Sequence, residues 1–382
     1  MLLIKSLNLN SKFFLTFFLT FSFCFSATGE EAIDIWNEKK DKTEEKILRK
    51  NNISQETRID FSKIGVGEIK EDDVERAIEA ARTVATPTNY EIIHVIPKSF
   101  TVDGQRGVKD PVGMNGIRLE VDALIIQGLS SQIKNLTKTV YRTGLDIEDL
   151  VFSILATSEA VVSERQKELG VCVVNIGAST STMVVYEEGD ILHTSVLPIG
   201  SEHITSDLAI GLRTSIDVAE QVKLRYATSN ASEVGKKEEI NLAELGALEE
   251  EIVGRKFVAD ITEARVQEIF EHVDRELQKI ERSGMLPAGI ILTGGGAKLS
   301  GMLDAAKTGM RLPVALGTPI GVTSVIDRVG DPSMSTAIGL VLWGHHIRGA
   351  SSQGGIGKLF SSVPDMSGIS SGIKKLFKSI KP

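Results

Sequence analysis

Cysteine is nearly absent: the 382 residues hold two, Cys24 and Cys172. Two thiols that far apart give neither a disulfide framework nor metal-ligand spacing, and Cys172 lies in an apolar run that reads as a core strand. A reducing compartment fits this usage. Basic excess is also lacking, with 43 Lys and Arg against 51 Asp and Glu and a net charge of -8, which argues against a general nucleic-acid binder. Catalytic carboxylates do not pair in the first globular stretch, because Asp103, Asp110 and Asp122 fall on separate elements. What is present is apolar mass. A hydrophobic content of 42% over this length is enough for a large core in two or more lobes and excludes a disordered chain.

The N-terminus stands apart in composition. Lys5 and Lys12 precede FFLTFFLTFSFCFSA, and seven of the fourteen Phe fall between Phe13 and Phe25. The pattern is that of a secretory signal peptide, although its apolar stretch of about 15 residues is short of the ~20 that span a bilayer. Export, an N-terminal anchor and a start foreign to the rest of the chain are the three readings, and the first two conflict with a reducing compartment. Residues 30–52 mix both charges densely and read as a solvated helix or linker.

From Ile59 the texture is globular. EIKEDDVERAIEAARTVA sets Val74, Ile78, Ala81 and Val84 at helical spacing behind an acidic first turn. NYEIIHVIPKSFTVDG and IRLEVDALIIQG read as strands, and LSSQIKNLTKTVYRTG as an amphipathic helix with Ile133, Leu136, Val140 and Tyr141 on one face. Together they predict a compact α+β unit in which His94 is structural.

Three further pieces carry chemistry. VCVVNIGASTSTMVVY predicts two strands joined at Gly177, Ala178, Ser179, Thr180, Ser181 and Thr182, small residues whose backbone N–H groups suit an anion; a plain hairpin favours the same residues. AGIILTGGGAKLSGM predicts a buried strand running into Gly294, Gly295 and Gly296 and then a helix, where a planar ring can lie against backbone. Between them SIDVAEQVKLRY predicts a helix with Glu220 and Lys223 on one face, either a surface ion pair or a carboxylate and an ammonium offered to a ribose and its phosphates.

In this order the pieces resemble the actin, sugar-kinase and heat-shock-chaperone superfamily, and within it the FtsA family. The resemblance runs from about Gly65 to the C-terminus, most specifically through EIIHVIPKSFTVDGQRGVKDPVGMNGIRLEV, LPIGSEHITSDLAIGLRTSIDVAEQVK, ILTGGGAKLSGM and DPSMSTAIGLVLWG. It implies an α/β, actin-like (ribonuclease-H-like) two-lobed fold with the α+β subdomain particular to that family. It implies an adaptor that tethers FtsZ filaments to the cytoplasmic membrane at the division site and recruits later division proteins. Implied with it are ATP with Mg²⁺ as cofactor and self-assembly into filaments. Gly177 to Thr182 would form the second phosphate loop, Glu220 and Lys223 would approach the ribose, and Gly294 to Gly296 with Lys298 would form the adenosine-binding turn.

The implied divisions are an unmatched segment 1–55, the α+β subdomain 65–146, and a remnant of the first lobe at 147–169. A nucleotide-binding lobe follows at 170–213 and 289–332, with the lobe that receives the FtsZ C-terminal tail at 214–288. A return helix at 333–346, a linker at 347–369 and a membrane-targeting helix at 370–382 complete the chain. In ITEARVQEIFEHVDRELQKI the stripe Val266, Ile269, Phe270, Val273, Leu277 and Ile280 is expected to be core rather than partner surface.

Two departures stand out. The family's second loop begins with Asp, and here the neutral Asn175 stands in its place, without the charge that attracts Mg²⁺. Residues 1–60 contain no Gly/Thr-rich turn between apolar strands, so the first phosphate loop and the first strands of the fold are not visible. The expectations are poor ATP binding, at most weak hydrolysis, and apolar faces on LVFSILATSEAVV and STAIGLVLWGHH left without their family partner. The terminal SSGIKKLFKSIKP sets Ile373, Leu376, Phe377 and Ile380 on one helical face among Lys374, Lys375, Lys378 and Lys381, which suits an anionic bilayer. Two alternatives share parts of this reading: a PilM-like component of type IV pilus assembly, without the terminal helix, and a sugar-kinase-like phosphotransferase, which would need a catalytic carboxylate and an intact first loop.

Overall fold

The computed structural model describes residues 2–3, 54–83, 86–323 and 327–350. The signal-like segment, the charged stretch after it, the linker beyond Ala350 and the expected terminal helix lie outside these residues.

One strand organises the core. β5, Val171–Ile176, is an almost unbroken apolar run bounded by Gly170 and Gly177. Such a run without alternation belongs to a strand buried on both faces. Val171, Cys172, Val173, Val174 and Ile176 are all fully buried, each Val or Ile contributing about 1.5–3 kcal/mol by leaving water. β5 turns back into β6, Ser181–Glu187, and β6 into β7, Asp190–Leu197, both antiparallel. On its other side it pairs in parallel with β10, Ile290–Thr293, which pairs in parallel with β11, Val314–Leu316. The five-stranded order is therefore β7-β6-β5-β10-β11.

The long connection from β7 to β10 supplies the cover for one face. It contains α5 (Ser201–Gly211), α6 (Ile216–Tyr226), the short strands β8 (Glu239–Asn241) and β9 (Ile252–Gly254), and α7 (Arg255–Lys279). After β10 a single turn at Gly296–Lys298 precedes α8, Met302–Met310, so the helix starts later than the glycine run suggested. Val266, Ile269, Phe270, Val273 and Leu277 of α7 are buried with Cys172, Val174 and Ile176, and Ile280 packs against them. The expected core stripe is core.

The opposite face is covered by α3, Ser153–Val161, and α9, Ser335–Ala350. They cross so closely that a Cβ at Gly339 would lie 1.7 Å from the Ala156 carbonyl oxygen. The sequence left both helices without a partner. In the structure Ile154, Leu155, Ala156 and Ala160 of α3 are all buried, by α9 on one side and by Ile96, Leu124 and Ile126 of a second sheet on the other. α9 is less covered, and Val341 remains 44% exposed.

That second sheet is the α+β unit. β1 (Ser54–Glu68), β2 (Tyr90–Val102), β3 (Gln105–Val108) and β4 (Asn115–Leu129) form an antiparallel sheet in the order β1-β4-β2-β3. α1, Glu71–Ala81, packs Val74, Ala77, Ile78 and Ala81 on Leu119, Val121 and Ala123. The sheet thus begins at Ser54, ahead of the expected subdomain start. Alternate residues of β4 face α1, while Leu124 and Ile126 face the body. Lys109 fastens the far end, its Nζ donating to the Glu188 carbonyl at 2.9 Å and lying 3.2 Å from Asp190 Oδ2 at the β6–β7 turn. α2, Ser130–Arg142, has no fully buried residue, and a short α4, Glu164–Leu169, leads from α3 into β5. Among the described residues these two are the only sheets of more than two strands.

Candidate functional site

The carboxyl ends of β5 and β10 meet side by side, Asn175 opposite Thr293, and every predicted cofactor-binding residue falls on or near this edge. The loop from β5 to β6 is tight: the Gly177 N–H donates to the Thr180 carbonyl at 2.9 Å. Its carbonyls point at the start of α5. Gly177 O accepts the Ser201 N–H and hydroxyl, both at 3.0 Å, and Ala178 O accepts the Glu202 N–H at 2.8 Å. Gly200 is required there, since a Cβ would lie 2.3 Å from Ala178 O. With the carbonyls turned to α5, the N–H groups of Ala178, Ser179 and Thr180 donate to no protein acceptor among the described residues. Consecutive amides of this kind form an anion-binding concavity.

The two following positions face inward. The Ser181 hydroxyl is buried and donates to Ile199 O at 2.7 Å. Thr182 Oγ1 is buried with no partner among the described residues, directly across the ladder from Asn175. A buried hydroxyl left so is costly unless water or a ligand satisfies it.

Asn175 is half-buried and tied to α9: its amide donates to Thr336 Oγ1 at 3.3 Å, and Thr336 in turn bonds Thr157 of α3 at 2.7 Å. Nothing in the sequence marked these two threonines, which come together only through folding. Beside Asn175 the three glycines divide into two kinds. A Cβ at Gly294 would meet Asn175 Oδ1 at 2.2 Å, and one at Gly296 would meet Ile176 Cγ2 at 2.5 Å. Both glycines are demanded by the approach of β5. Gly295 is exposed and a Cβ there would meet nothing within 4 Å, so it is the glycine that leaves an open face for a flat ring. Lys298 pairs with Asp331 at 2.7 Å. That lysine's hydrogen bond, then the Ser333 N–H, hold the Asp331 carboxyl down to about 2.

Glu220 and Lys223 form an ion pair at 2.6 Å. It is not a loose surface contact, because Thr205 donates to Glu220 at 2.6 Å while Lys223 reaches Thr205 at 2.8 Å and Ser201 O at 3.4 Å. Burial works to raise the Glu220 carboxyl, and the bonds from Lys223 and Thr205 outweigh it, leaving it below the usual carboxylate range. Through Ser201 the pair braces the loop.

Glu202 was not singled out by residue chemistry, although it lies within LPIGSEHITSDL. Its carboxylate accepts the Ser179 hydroxyl at 2.6 Å, and the glycine-led start of a helix beside a Gly/Ser loop is the signal that would have found it.

The residues fit a nucleoside phosphate at the three unpartnered amides and the open Gly295. They do not offer a ready-made cation cage: among the described residues no group of three or more His, Cys, Asp or Glu could hold a metal ion.

The profile of cell division protein FtsA matches residues 172–339, and that of the SHS2 domain inserted in FtsA matches residues 51–127. The chain is 40% identical over 283 residues to cell division protein FtsA of Neisseria meningitidis, covering 73% of this chain and 68% of that one. It is 36% identical over 277 residues to the protein of the same name from Pseudomonas aeruginosa, covering 72% of this chain and 66% of that one. The chain thus spans about two thirds of the length of these relatives. Among solved structures, a PilM–PilN type IV pilus biogenesis complex aligns with a TM-score of 0.53 at 17% identity, covering 77% of each chain, a likeness of fold alone. The fold is the expected actin-like α/β arrangement. With both profiles matched in one chain and relatives at this identity, the chain belongs to the FtsA family of cell division proteins.

Proposed function

We propose that this chain acts in division as an actin-fold adaptor, holding FtsZ filaments to the cytoplasmic face of the membrane and recruiting later division proteins. The observation that carries the reading is the coexistence of the FtsA-type insert, β1 to β4 with α1, and the glycine-edged site on one body. No observation favours the PilM-like alternative beyond fold, and the neutral Asn175 speaks against a phosphotransferase.

Adaptor work requires nucleotide as an assembly switch rather than as fast chemistry. ATP would be held through its phosphates by the amides of Ala178, Ser179 and Thr180, and through its base by the open face at Gly295. Bound nucleotide supplies a polyanion that braces the β5–β6 loop against α5. Hydrolysis is weak at most in this reading. The lobe of residues 214–288 would receive the FtsZ tail, and Ile216, Leu224, Leu248 and Ile252 on it are each at least 60% exposed, an apolar surface of the kind a short peptide covers.

The membrane contact is assigned to residues 370–382 on sequence grounds. No described helix is long and apolar enough to cross a membrane. Cosedimentation tests the whole reading: FtsZ should pellet with anionic liposomes only when this chain is present, and not when residues 370–382 are removed. FtsZ left in the supernatant by the full chain, with the chain itself on the liposomes, would overturn it.

A further inference from the structure

The outer face of the β8–β9 ribbon is uncovered. Ile240 and Val253, opposite each other in the ladder, pack into the core, so Asn241 with Ile252, and Glu239 with Gly254, lie on the outer side. The connection between the two strands presents a fully exposed Leu248. Around these apolar side chains the charge has one sign: residues 238–254 hold six Glu and no Lys, Arg or His. Glu238 is paired with Arg255 at 2.6 Å. Glu239, Glu244, Glu249, Glu250 and Glu251 are exposed and form no ion pair with another described residue. An exposed apolar surface framed by five uncompensated carboxylates suits an amphipathic segment of positive charge.

One such segment belongs to this chain. Read as a helix, residues 370–382 set Ile373, Leu376, Phe377 and Ile380 on one face among Lys374, Lys375, Lys378 and Lys381. From Ala350, where α9 ends, residues 351–369 reach about 60 Å when extended, against a radius of gyration of about 19 Å for a body of roughly 300 residues. The tether keeps the segment near the ribbon at an effective concentration on the order of millimolar. We propose that, away from a bilayer, residues 370–382 fold back onto the acidic outer face of the β8–β9 ribbon and cover Leu248 and Ile252. The four apolar side chains can be buried in one place at a time, and an anionic bilayer repels the same carboxylates. Membrane docking and the closed state therefore exclude each other, and arrival at the membrane opens the ribbon. This rests on the amphipathic reading of 370–382, and it regulates the lobe assigned above to the FtsZ tail.

The test is hydrogen exchange, read by mass spectrometry, of the full chain and of the chain without residues 370–382, with the melting temperature as a check on folding. Peptides covering 239–252 should exchange at least about fivefold more slowly in the full chain, equally so at two protein concentrations. That protection should vanish in about 0.5 M salt and on adding vesicles of phosphatidylglycerol and phosphatidylcholine. The variant Glu249→Lys/Glu250→Lys/Glu251→Lys should lose it, and adding Lys374→Glu/Lys375→Glu/Lys378→Glu should bring it back. A folded full chain whose 239–252 peptides exchange as in the shortened chain would overturn the docking. Protection that grows with protein concentration would place the segment on a second copy and overturn it as well. Protection in a full chain that never binds the vesicles would overturn the membrane reading and leave this docking standing.

Discussion

His94 Nε2 accepts the backbone N–H of Phe152 at 3.0 Å, across the junction between the α+β sheet and the first turn of α3. The ring is also tilted against Trp343 of α9, 6.1 Å between centroids, and the Trp343 indole N–H reaches Asp149 at 3.4 Å. One imidazole thus touches both helices that cover the five-stranded sheet. It does so only when neutral, because a protonated ring has no lone pair to offer.

That requirement makes the junction acid-sensitive. Burial, with the Arg82 charge adding to it, pushes His94 from 6.5 down to about 4. A histidine whose folded value is depressed adds stability above its unfolded value, and that stability is lost as pH falls toward the folded one. The loss should run from about pH 6.5 to 4 and amount to roughly 3 kcal/mol. Glu276 and Asp331, held down to about 2, lose their contributions only below about pH 4.5. Urea midpoints taken between pH 7 and 5 isolate His94, and Gln in its place should flatten that part of the curve. An equally steep fall in His94→Gln would refute the assignment.

The α3–α9 crossing should tolerate no side chain at Gly339. A methyl group would overlap the Ala156 carbonyl, and backbone leaves no flexible end to yield. Gly339→Ala should cost at least about 3 kcal/mol, read as a drop in melting temperature. Ala at Gly344, where nothing lies within 4 Å, serves as the control and should melt like the parent.

The glycine turn should separate stability from binding. Gly294→Ala combines a φ of +88° with overlap on Asn175 and Ile176, and should lower stability by roughly 2–4 kcal/mol. Gly295→Ala has open space and should melt within about 0.5 kcal/mol of the parent while weakening nucleotide binding. If both variants behave alike in melting, the division of the turn is wrong.

Much of this architecture was legible in the residues because it is local. The apolar runs of β5 and β10, the small-residue loop and the stripe of α7 announce themselves by periodicity. Other features depend on distant partners. Ser54–Glu68 mixes charge with apolar residues and becomes a strand by pairing along β4, with Arg58 opposite Asp122 and Asp60 opposite Glu120. Ser181 and Thr182 belong to the same small-residue string as Ser179, and their hydroxyls, on opposite faces of β6, are both buried because the sheet is covered on both sides. Three glycines in a row suggest a ligand, yet two of them serve the neighbouring strand. The Asn175–Thr336–Thr157 chain joins residues up to 179 positions apart, beyond the reach of any local pattern.

The Gly339–Ala156 contact also sets a schedule for synthesis. α3 leaves the ribosome long before the helix that buries it, and at 5–20 residues per second the interval is roughly 10–40 s. Throughout that time the nascent chain presents Ile154, Leu155 and Ala160 without α9. The α+β sheet, complete by Leu129, precedes them and supplies Ile96, Leu124 and Ile126 as early cover, so the order of synthesis leaves one side of this core to be closed by α9.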